Sequence, residues 1–216
     1  MIQVSDKAKC CDCTACASSC PKNCITMQYD EEGFLYPVVD KDLCVNCGIC
    51  DQVCPFGHLN DRVATNSSTY MAFQNSNQNV RMDSTAGGAF SLIAEYIINN
   101  GGIVYAVGYN AEMTVCHEKC DSIRGLNKLR GSKYVQSDLR NIFVDIKSNI
   151  EERLVLFVGT PCQVHGLKAF IGDNKNLYTI DLLCLGVSSP RLFAEWIDYL
   201  NDKYHSQVRH VSFRDK

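Results

Sequence analysis

The chain has 216 residues, 46% of them hydrophobic, and its 21 Lys and Arg against 24 Asp and Glu give a formal net charge of -3. This composition supports a buried core, which excludes a mainly disordered chain. No basic run occurs, which argues against nucleic acid as a partner. The longest apolar stretches have only the length of a strand, so the sequence predicts no membrane span.

Cysteine is the most unusual feature of the composition, with 14 residues in the chain. The N-terminus lacks the pattern of a secretion signal, so we expect a cytoplasmic protein whose thiols bind metal or carry out redox chemistry. Residues 1–62 hold ten of these cysteines and nine acidic against five basic side chains. We therefore predict a separate acidic module at 1–62, a polar linker at 63–69 and a larger domain at 70–216.

The pattern CxxCxxCxxxCP occurs twice in the predicted module, ending at Pro21 and at Pro55. It is typical of two-cluster ferredoxins, in which three thiolates of one run bind one cluster and the fourth thiolate binds the other. The predicted ligands of the two [4Fe-4S] clusters are therefore Cys10, Cys13, Cys16 and Cys54 for one, and Cys44, Cys47, Cys50 and Cys20 for the other. Zinc sites use simpler pairs of ligands. Cys11 and Cys24 fall outside the spacing and receive no role.

Strands are predicted at 25–29 and 34–39, as a hairpin that covers the clusters. From residue 70 strands and helices alternate. The predicted strands are 70–74, 103–109, 114–120, 154–158, 177–184 and 208–213, and the predicted helices are 84–98, 122–130, 138–150, 161–171 and 189–204. Trp196 is assigned to the core. The expected fold class is α+β, a small dicluster ferredoxin module followed by a larger α/β domain with a mixed sheet covered by helices.

Ligands of such sheets bind beyond the carboxyl ends of the strands, where helix N-termini present free N–H groups. Three segments fit, at 84–88, 130–134 and 159–163, although ordinary capping and turn chemistry is the alternative for each. Cys162 falls in the first turn of a helix, which favours a thiolate, and could be a redox neighbour, an iron ligand or a nucleophile. For Cys116, Cys120, Cys162 and Cys184 the alternative is that they are inert buried thiols.

Five runs of the larger domain, taken together, resemble the beta-subunit family of coenzyme F420 hydrogenase and dehydrogenase. They are STAGGAF at 84–90, LRGSKYVQS at 129–137, GTPCQVHGLKAF at 159–170, DLLCLGVSSP at 181–190 and SFRDK at 212–216. A dicluster ferredoxin module in front of this domain is similar to the bacterial branch of the family. Members of the family continue beyond the position of Lys216, so we expect the domain to be incomplete at its C-terminus.

The resemblance implies FAD, electron transfer between the flavin and the clusters, and hydride exchange with an organic substrate or the deazaflavin coenzyme F420. The implied flavin shell consists of Ser84, Thr85, Gly87, Gly88, Ser132, Lys133, Tyr134, Ser137, Thr160 and Cys162. Within it, N–H groups and Lys133 would hold the pyrophosphate, Tyr134 would pack, and Cys162 would lie near the ring. Redox partner proteins or other subunits are the expected partners. The alternative is an electron-transfer module without its own flavin or substrate.

Overall fold

A computed structural model describes residues 1–57 and 69–214 of the chain. Residues 63–68 of the predicted linker lie outside the described residues. The described elements of the N-terminal module are a 3-10 helix at Lys7–Lys9, helices α1 (Ala15–Ser18) and α2 (Ile49–Gln52), and antiparallel strands β1 (Ile25–Tyr29) and β2 (Leu35–Val39). The predicted hairpin therefore forms.

The two cysteine runs fold in the same way. Each short helix follows a residue with positive φ, Thr14 at 56° before α1 and Gly48 at 78° before α2. Such a residue turns the chain sharply, so that the cysteines before it and within the helix face a common space. The repeat seen in the sequence is thus also a repeat of local structure.

The larger domain has a mixed sheet, as the sequence predicts, and this sheet has four strands among the described residues. Its elements are α3 (Gln78–Met82), α4 (Ala89–Asn99), β3 (Ile103–Tyr109), β4 (Val115–Cys120), a 3-10 helix at Arg124–Leu129, α5 (Ile142–Asn149), β5 (Val155–Gly159), α6 (Pro161–Ile171), β6 (Leu177–Asp181) and α7 (Pro190–Tyr204). The strand order is β4-β3-β5-β6. Strands β3 and β4 are antiparallel, whereas β3 with β5 and β5 with β6 are parallel.

Helices cover both faces of this sheet because successive side chains of β3 point to opposite sides. Tyr105 is fully buried with residues of α5 and α6, while Val104 is buried with residues of α4. Cys13 and Ala15 of the N-terminal module belong to the first of these cores. The module and the larger domain therefore share one hydrophobic core.

Two predicted strands are wrong, since 70–74 and 208–213 are irregular. In the segment 208–213, other contacts replace strand pairing. Val208 donates its N–H to Asn201 Oδ1 at 2.7 Å, and Phe213 packs near Phe193 of α7. A side-chain amide and a helix surface thus replace a sheet partner. Strand β6 also ends at Asp181, earlier than predicted.

The assignment of Trp196 to the core is also wrong. Its side chain is 45% exposed, and the buried face of α7 consists of Phe193 and Ile197. Phe193 and Ile197 are four residues apart on the helix. The stripe of buried side chains on α7 is therefore narrower than the apolar face that the sequence predicts for this helix. The start of α4 differs too, because Gly88 caps it and Ser84 instead donates its hydroxyl to Val80 O.

Candidate iron-sulfur and cofactor site

Eight cysteines of the N-terminal module surround two separate cavities. The inner site is a cavity of about 270 Å³ lined by Cys10, Cys13, Cys16 and Cys54, and the outer site is a cavity of about 20 Å³ lined by Cys20, Cys44, Cys47 and Cys50. Each set takes three cysteines from one run and the fourth from the other run. This is the grouping that the sequence predicts for the two sets of ligands.

The arrangement suits iron-sulfur clusters better than single ions. Within residues 1–57 and 69–214, no three His, Cys, Asp or Glu side chains converge closely enough to hold one metal ion. A zinc ion needs its ligands within about 2.0–2.3 Å of one centre. Thiols spread around a cavity instead suit a cluster, which is larger than an ion and is held by thiolates at its edges. The four-thiol sets, three thiols from one run and one from the other, thus fit the ligand pattern of iron-sulfur clusters better than that of zinc.

Each site also has a fifth cysteine outside the ligand spacing. Cys24 lines the outer site, with its Sγ 3.3 Å from Cys20 Sγ. Cys11 lines both the inner site and the cavity that Cys162 lines. The neighbouring Cys11 thiol lowers the pKa of Cys162. A thiol of the first run therefore connects the inner site to the first turn of α6.

Close packing against α6 holds the inner site in place. A Cβ added to Gly166 would lie 2.8 Å from Cys13 Sγ, so the absent side chain makes room for this thiol.

Asp12, between Cys11 and Cys13, is 2% exposed, and its carboxylate has no hydrogen-bond partner among the described residues. Burial raises the pKa of Asp12 to about 8.

A cavity of about 260 Å³, here called the junction cavity, lies between the module and the carboxyl edge of the sheet. Cys10 lines both this cavity and the inner site. Four residues of the predicted flavin shell lie along it, namely Lys133, Ser137, Thr160 and Cys162. Residues 34–36 of the hairpin form its opposite wall.

A larger cavity of about 890 Å³, here called the basic cavity, adjoins the junction cavity at Lys133, which lines both. Three further residues of the predicted shell line it, Ser84, Thr85 and Ser132, and the Thr85 and Ser132 hydroxyls are 3.1 Å apart. Its charged lining residues are Lys128, Arg130, Lys133 and Arg214 against Asp83 and Glu118. Cations thus outnumber carboxylates, which favours an anionic occupant.

Three residues of the predicted shell lie outside both cavities. Gly87 and Gly88 have positive φ, and a Cβ on Gly88 would lie 2.9 Å from Asn75 Cβ. Tyr134 is 40% exposed and accepts a hydrogen bond from Arg214 Nε at 2.6 Å. These residues shape the loops next to the cavities.

Lys133 is the charged side chain common to the two cavities. Its ammonium donates to Val107 O and Arg130 O, both at 2.9 Å, and lies 5.7 Å from the ring centre of Tyr109. Burial lowers the pKa of Lys133 to about 8. Two carbonyls use two of its three protons, so the ammonium can also donate to an occupant of either cavity.

A chain of hydrogen bonds forms the floor of the junction cavity. His117 Nε2 lies 3.1 Å from Val158 O and therefore carries the proton, so Nδ1 accepts from Ser137 Oγ at 3.0 Å. Gln163 Nε2 donates to Ser137 Oγ at 3.1 Å. Gln163 Oε1 accepts from the N–H of Thr160, also at 3.1 Å. Every bond runs in the same direction, which fixes the orientation of each group.

Gln136 and Tyr109 are not among the site residues that the sequence predicts. Gln136 lines the junction cavity and Tyr109 lines the basic cavity. Gln136 Oε1 and Tyr109 Oη are buried and have no hydrogen-bond partner among the described residues. Since buried polar groups are normally paired, these two atoms are exceptions among the polar side chains beside the two cavities. Gln136 lies within the run LRGSKYVQS, and its place in this run was the one feature of the sequence that could have marked it as a site residue.

The four cysteines of the larger domain do not form a further metal site among the described residues. Cys116 is buried, and Cys120 donates its thiol to Ser122 O at 3.2 Å. Cys162 and Cys184 both line the junction cavity, Cys184 being exposed. Only the second pair is therefore placed to touch a ligand.

Two protein families match the chain. Residues 9–58 match the 4Fe-4S dicluster domain, and residues 152–216 match the family described as the C terminus of the coenzyme F420 hydrogenase/dehydrogenase beta subunit. The first match contains all eight cysteines of the two sites, and the second contains α6, β6 and α7. No curated protein matches the chain significantly. Among the helices described, none combines the length and apolar character that crossing a bilayer requires.

Proposed function

The chain joins a 4Fe-4S dicluster domain to a domain of the coenzyme F420 hydrogenase/dehydrogenase beta-subunit type, and from this premise we propose that it is an iron-sulfur flavoprotein oxidoreductase. In this proposal electrons pass between an FAD in the junction and basic cavities and two [4Fe-4S] clusters in the inner and outer sites. When bound, the flavin supplies hydride exchange with a small organic molecule or deazaflavin coenzyme, and the clusters supply one-electron transfer.

The observation that carries the proposal is the position of Cys10. This thiol lines the inner site on one side and the junction cavity on the other. A ring in the junction cavity would thus be separated from the inner site by a single side chain. Thr160 and Cys162 lie on the opposite wall, at the start of α6.

The chain's own residues divide the work of holding the two groups. The eight thiols supply the iron ligands. Lys128, Lys133 and Arg214 give the basic cavity the positive charge that a diphosphate requires, whereas Arg130 is ion-paired with Glu95. Residues 34–36 line the junction cavity from the module side and would lie against a ring bound there.

The outer site would be the end at which the chain exchanges electrons with a partner protein or another subunit. Cys47 is exposed there, and so are Leu43 at 56% and Val45 at 57%. Apolar side chains beside an exposed ligand are a suitable contact for a redox protein. The family match, which is to a beta subunit, also supports a partner in a larger complex.

Cofactor content after anaerobic purification tests the proposal. We expect about eight irons with matching sulfide and about one FAD per chain. Eight irons without FAD, even after reconstitution, would instead favour the alternative of an electron-transfer module that lacks its own flavin.

A matched pair of variants then tests the site of the flavin. Lys133→Met should weaken FAD binding about tenfold while iron content stays unchanged, because the variant removes a buried positive charge shared by the two cavities. Lys175→Met, at an exposed position outside both cavities, should bind FAD as the wild type does. Equal FAD affinity in the two variants would contradict the placement.

A further inference from the structure

Two cysteines that the predicted iron-sulfur ligand sets do not use lie at the junction cavity. Cys11 comes directly after the first ligand of the first run, and Cys162 lies in the first turn of α6. Both residues line this cavity, and both are half-buried. The inner site has its four thiols without Cys11, so neither residue is needed to bind iron.

Packing of the module on α6 brings these two cysteines together. Gly166 makes room for Cys13, since a Cβ added to Gly166 would lie 2.9 Å from Cys13 Cβ. Cys162 is four residues before Gly166 and therefore lies on the same face of α6, one turn closer to the start of the helix. Cys11, two residues before Cys13, packs against the same core as Cys13. The two thiols are thus neighbours although they are far apart in the sequence.

The surroundings of Cys162 favour its thiolate, which is the form that takes part in thiol–disulfide chemistry. The neighbouring Cys11 thiol lowers the pKa of Cys162. Thr160 Oγ1 lies 3.1 Å from Cys162 Sγ, and the free N–H groups at the start of α6 also favour a negative charge there. Cys116 and Cys120, by contrast, are buried on β4.

We infer that Cys11 and Cys162 form a redox-active dithiol–disulfide pair, a further two-electron centre beside the inner site. The inference rests on the iron-sulfur clusters of the proposed function and does not require the flavin. Reduction breaks the S–S bond with two electrons, one from each reduced cluster, and with one proton from water, and it leaves the Cys162 thiolate and the Cys11 thiol. The reverse reaction forms the S–S bond, releases the proton and returns one electron to each oxidised cluster. The pair thus stores together the two electrons that the clusters carry singly.

Peptide mapping of the wild-type protein tests the pair directly. The iron-sulfur-loaded chain is oxidised anaerobically with diamide, unfolded in the presence of N-ethylmaleimide and digested with trypsin. We expect the peptide of residues 10–22 to be linked to the peptide of residues 154–168 by a disulfide that dithiothreitol breaks. Cys11→Ser and Cys162→Ser should each abolish this linkage. The matched control Cys184→Ser, which removes the other thiol that the larger domain places on the cavity, should keep it.

A reductive titration tests the exchange of electrons between the pair and the clusters. The oxidised wild-type chain should take up about two more electrons than Cys162→Ser, because one S–S bond is broken. Cys184→Ser should take up as many electrons as the wild type. In Cys54→Ser, which lacks a ligand of the inner site, dithionite should break the linkage at least about tenfold more slowly, because electrons no longer reach the pair through the inner cluster. Iron content and far-UV circular dichroism verify that each variant is folded.

The outcomes separate this inference from the proposed function. An iron-loaded wild-type chain without the linkage overturns the inference alone, as does a linkage that persists in Cys11→Ser or one that joins Cys162 to Cys184. Equal electron uptake by the wild type and Cys162→Ser, or equally fast reduction in Cys54→Ser, also overturns it. A linked, iron-loaded chain that binds no FAD supports the pair and overturns the proposed flavoprotein.

Discussion

The inner and outer sites have the same four-thiol composition but different surroundings. Cys13 of the inner site is buried in the main core of the chain together with residues of α5 and α6. Cys50 of the outer site is buried in a small separate cluster with Ile25, and its partner Cys47 is exposed. Identical local sequence patterns thus produce one site that packs against the larger domain and one that has an exposed thiol.

Because of this difference, the inner site is the end of the module that contacts the larger domain, and the outer site is its other end. The inner site contacts the larger domain through Cys11 and Cys162 and shares Cys10 with the junction cavity. Both cavities are lined by the module's own residues, but the buried cluster at the outer site contains module residues alone. Burial lowers the local dielectric constant, so the two sites are expected to differ in reduction potential although their ligands are alike.

Removing a ligand should have the largest effect. Cys54→Ser is expected to lower the iron content from about eight to about four per chain by removing the inner cluster. Its electron paramagnetic resonance spectrum after reduction should then match that of Cys13→Ser. A spectrum that matches Cys47→Ser would contradict the crossed grouping of the two runs.

The corresponding variant of the outer site is Cys20→Ser combined with Cys24→Ser, because the Sγ of Cys24 is only 3.3 Å from that of Cys20 and is close enough to replace it. This double variant should match Cys47→Ser in its spectrum and in iron content.

Disturbing the contact between the module and the larger domain should have the next largest effect. Gly33 has φ of 81°, and a Cβ there would overlap Arg191 Cβ, so Gly33→Ala should lower the free energy of unfolding by about 2–4 kcal/mol. Denaturant titration measures the change. Gly101→Ala, with φ of 75° and nothing within 4 Å of its added Cβ, should cost only about 1 kcal/mol of backbone strain. Equal losses in the two variants would show that the hairpin turn is not tightly packed on α7.

Gly166→Ala should affect the inner site alone. The added Cβ would lie 2.9 Å from Cys13 Cβ, and overpacking of this kind costs roughly 1–3 kcal/mol. The better helix propensity of alanine offsets roughly 1 kcal/mol of that loss. We expect a net destabilisation of about 1 kcal/mol and an altered spectrum of the inner cluster, with the outer spectrum unchanged. Lys168→Ala, on an exposed position of the same helix, is the control and should change neither spectrum.

The smallest effect concerns His117. Burial lowers its pKa from 6.5 to about 4, so the unfolded chain binds a proton more readily than the folded chain between these values. The contribution of His117 to the free energy of unfolding is therefore fully present above pH 6.5, and it is lost as the pH falls towards 4. Between about pH 7 and about pH 6 the loss should be about 0.7 kcal/mol. His117→Gln should remove that part of the pH dependence, and denaturant titrations at the two pH values measure it. An unchanged pH dependence in the variant would contradict the buried neutral ring.

The parts of the fold that were predictable from the sequence are those determined by local pattern. The spacing of the cysteine runs anticipated which thiols share a cavity, and Thr160 followed by Pro161 anticipated the start of α6. The prediction of a strand at 208–213 was wrong because strand-like composition does not reveal whether a sheet partner is available. The prediction that Trp196 is buried was wrong because the width of the buried stripe on α7 depends on what packs against this helix.

The proposed cofactor site was only partly predictable for a related reason. Lys133, Ser137 and Thr160 lie in recognisable loops, but the wall at 34–36 comes from a hairpin of the other module. Its contribution depends on how the module docks, through Ser189 Oγ donating to Glu32 O and Arg191 Nη1 donating to Glu31 O. Contacts between residues so far apart in the chain leave no periodic signal in one sequence. Gln136 was missed because an unpaired oxygen is recognised only after its neighbours are placed.

The shared core has a consequence for the synthesis of the chain. Cys13 and Ala15 leave the ribosome long before α5 and α6, whose core they help to fill. During synthesis the N-terminal module therefore exposes an apolar face until the rest of the chain has been made and covers it. Neither site has all four of its thiols until both repeats have been translated. The two sets of thiols are therefore complete before α5 and α6, which pack on the module, have been synthesised.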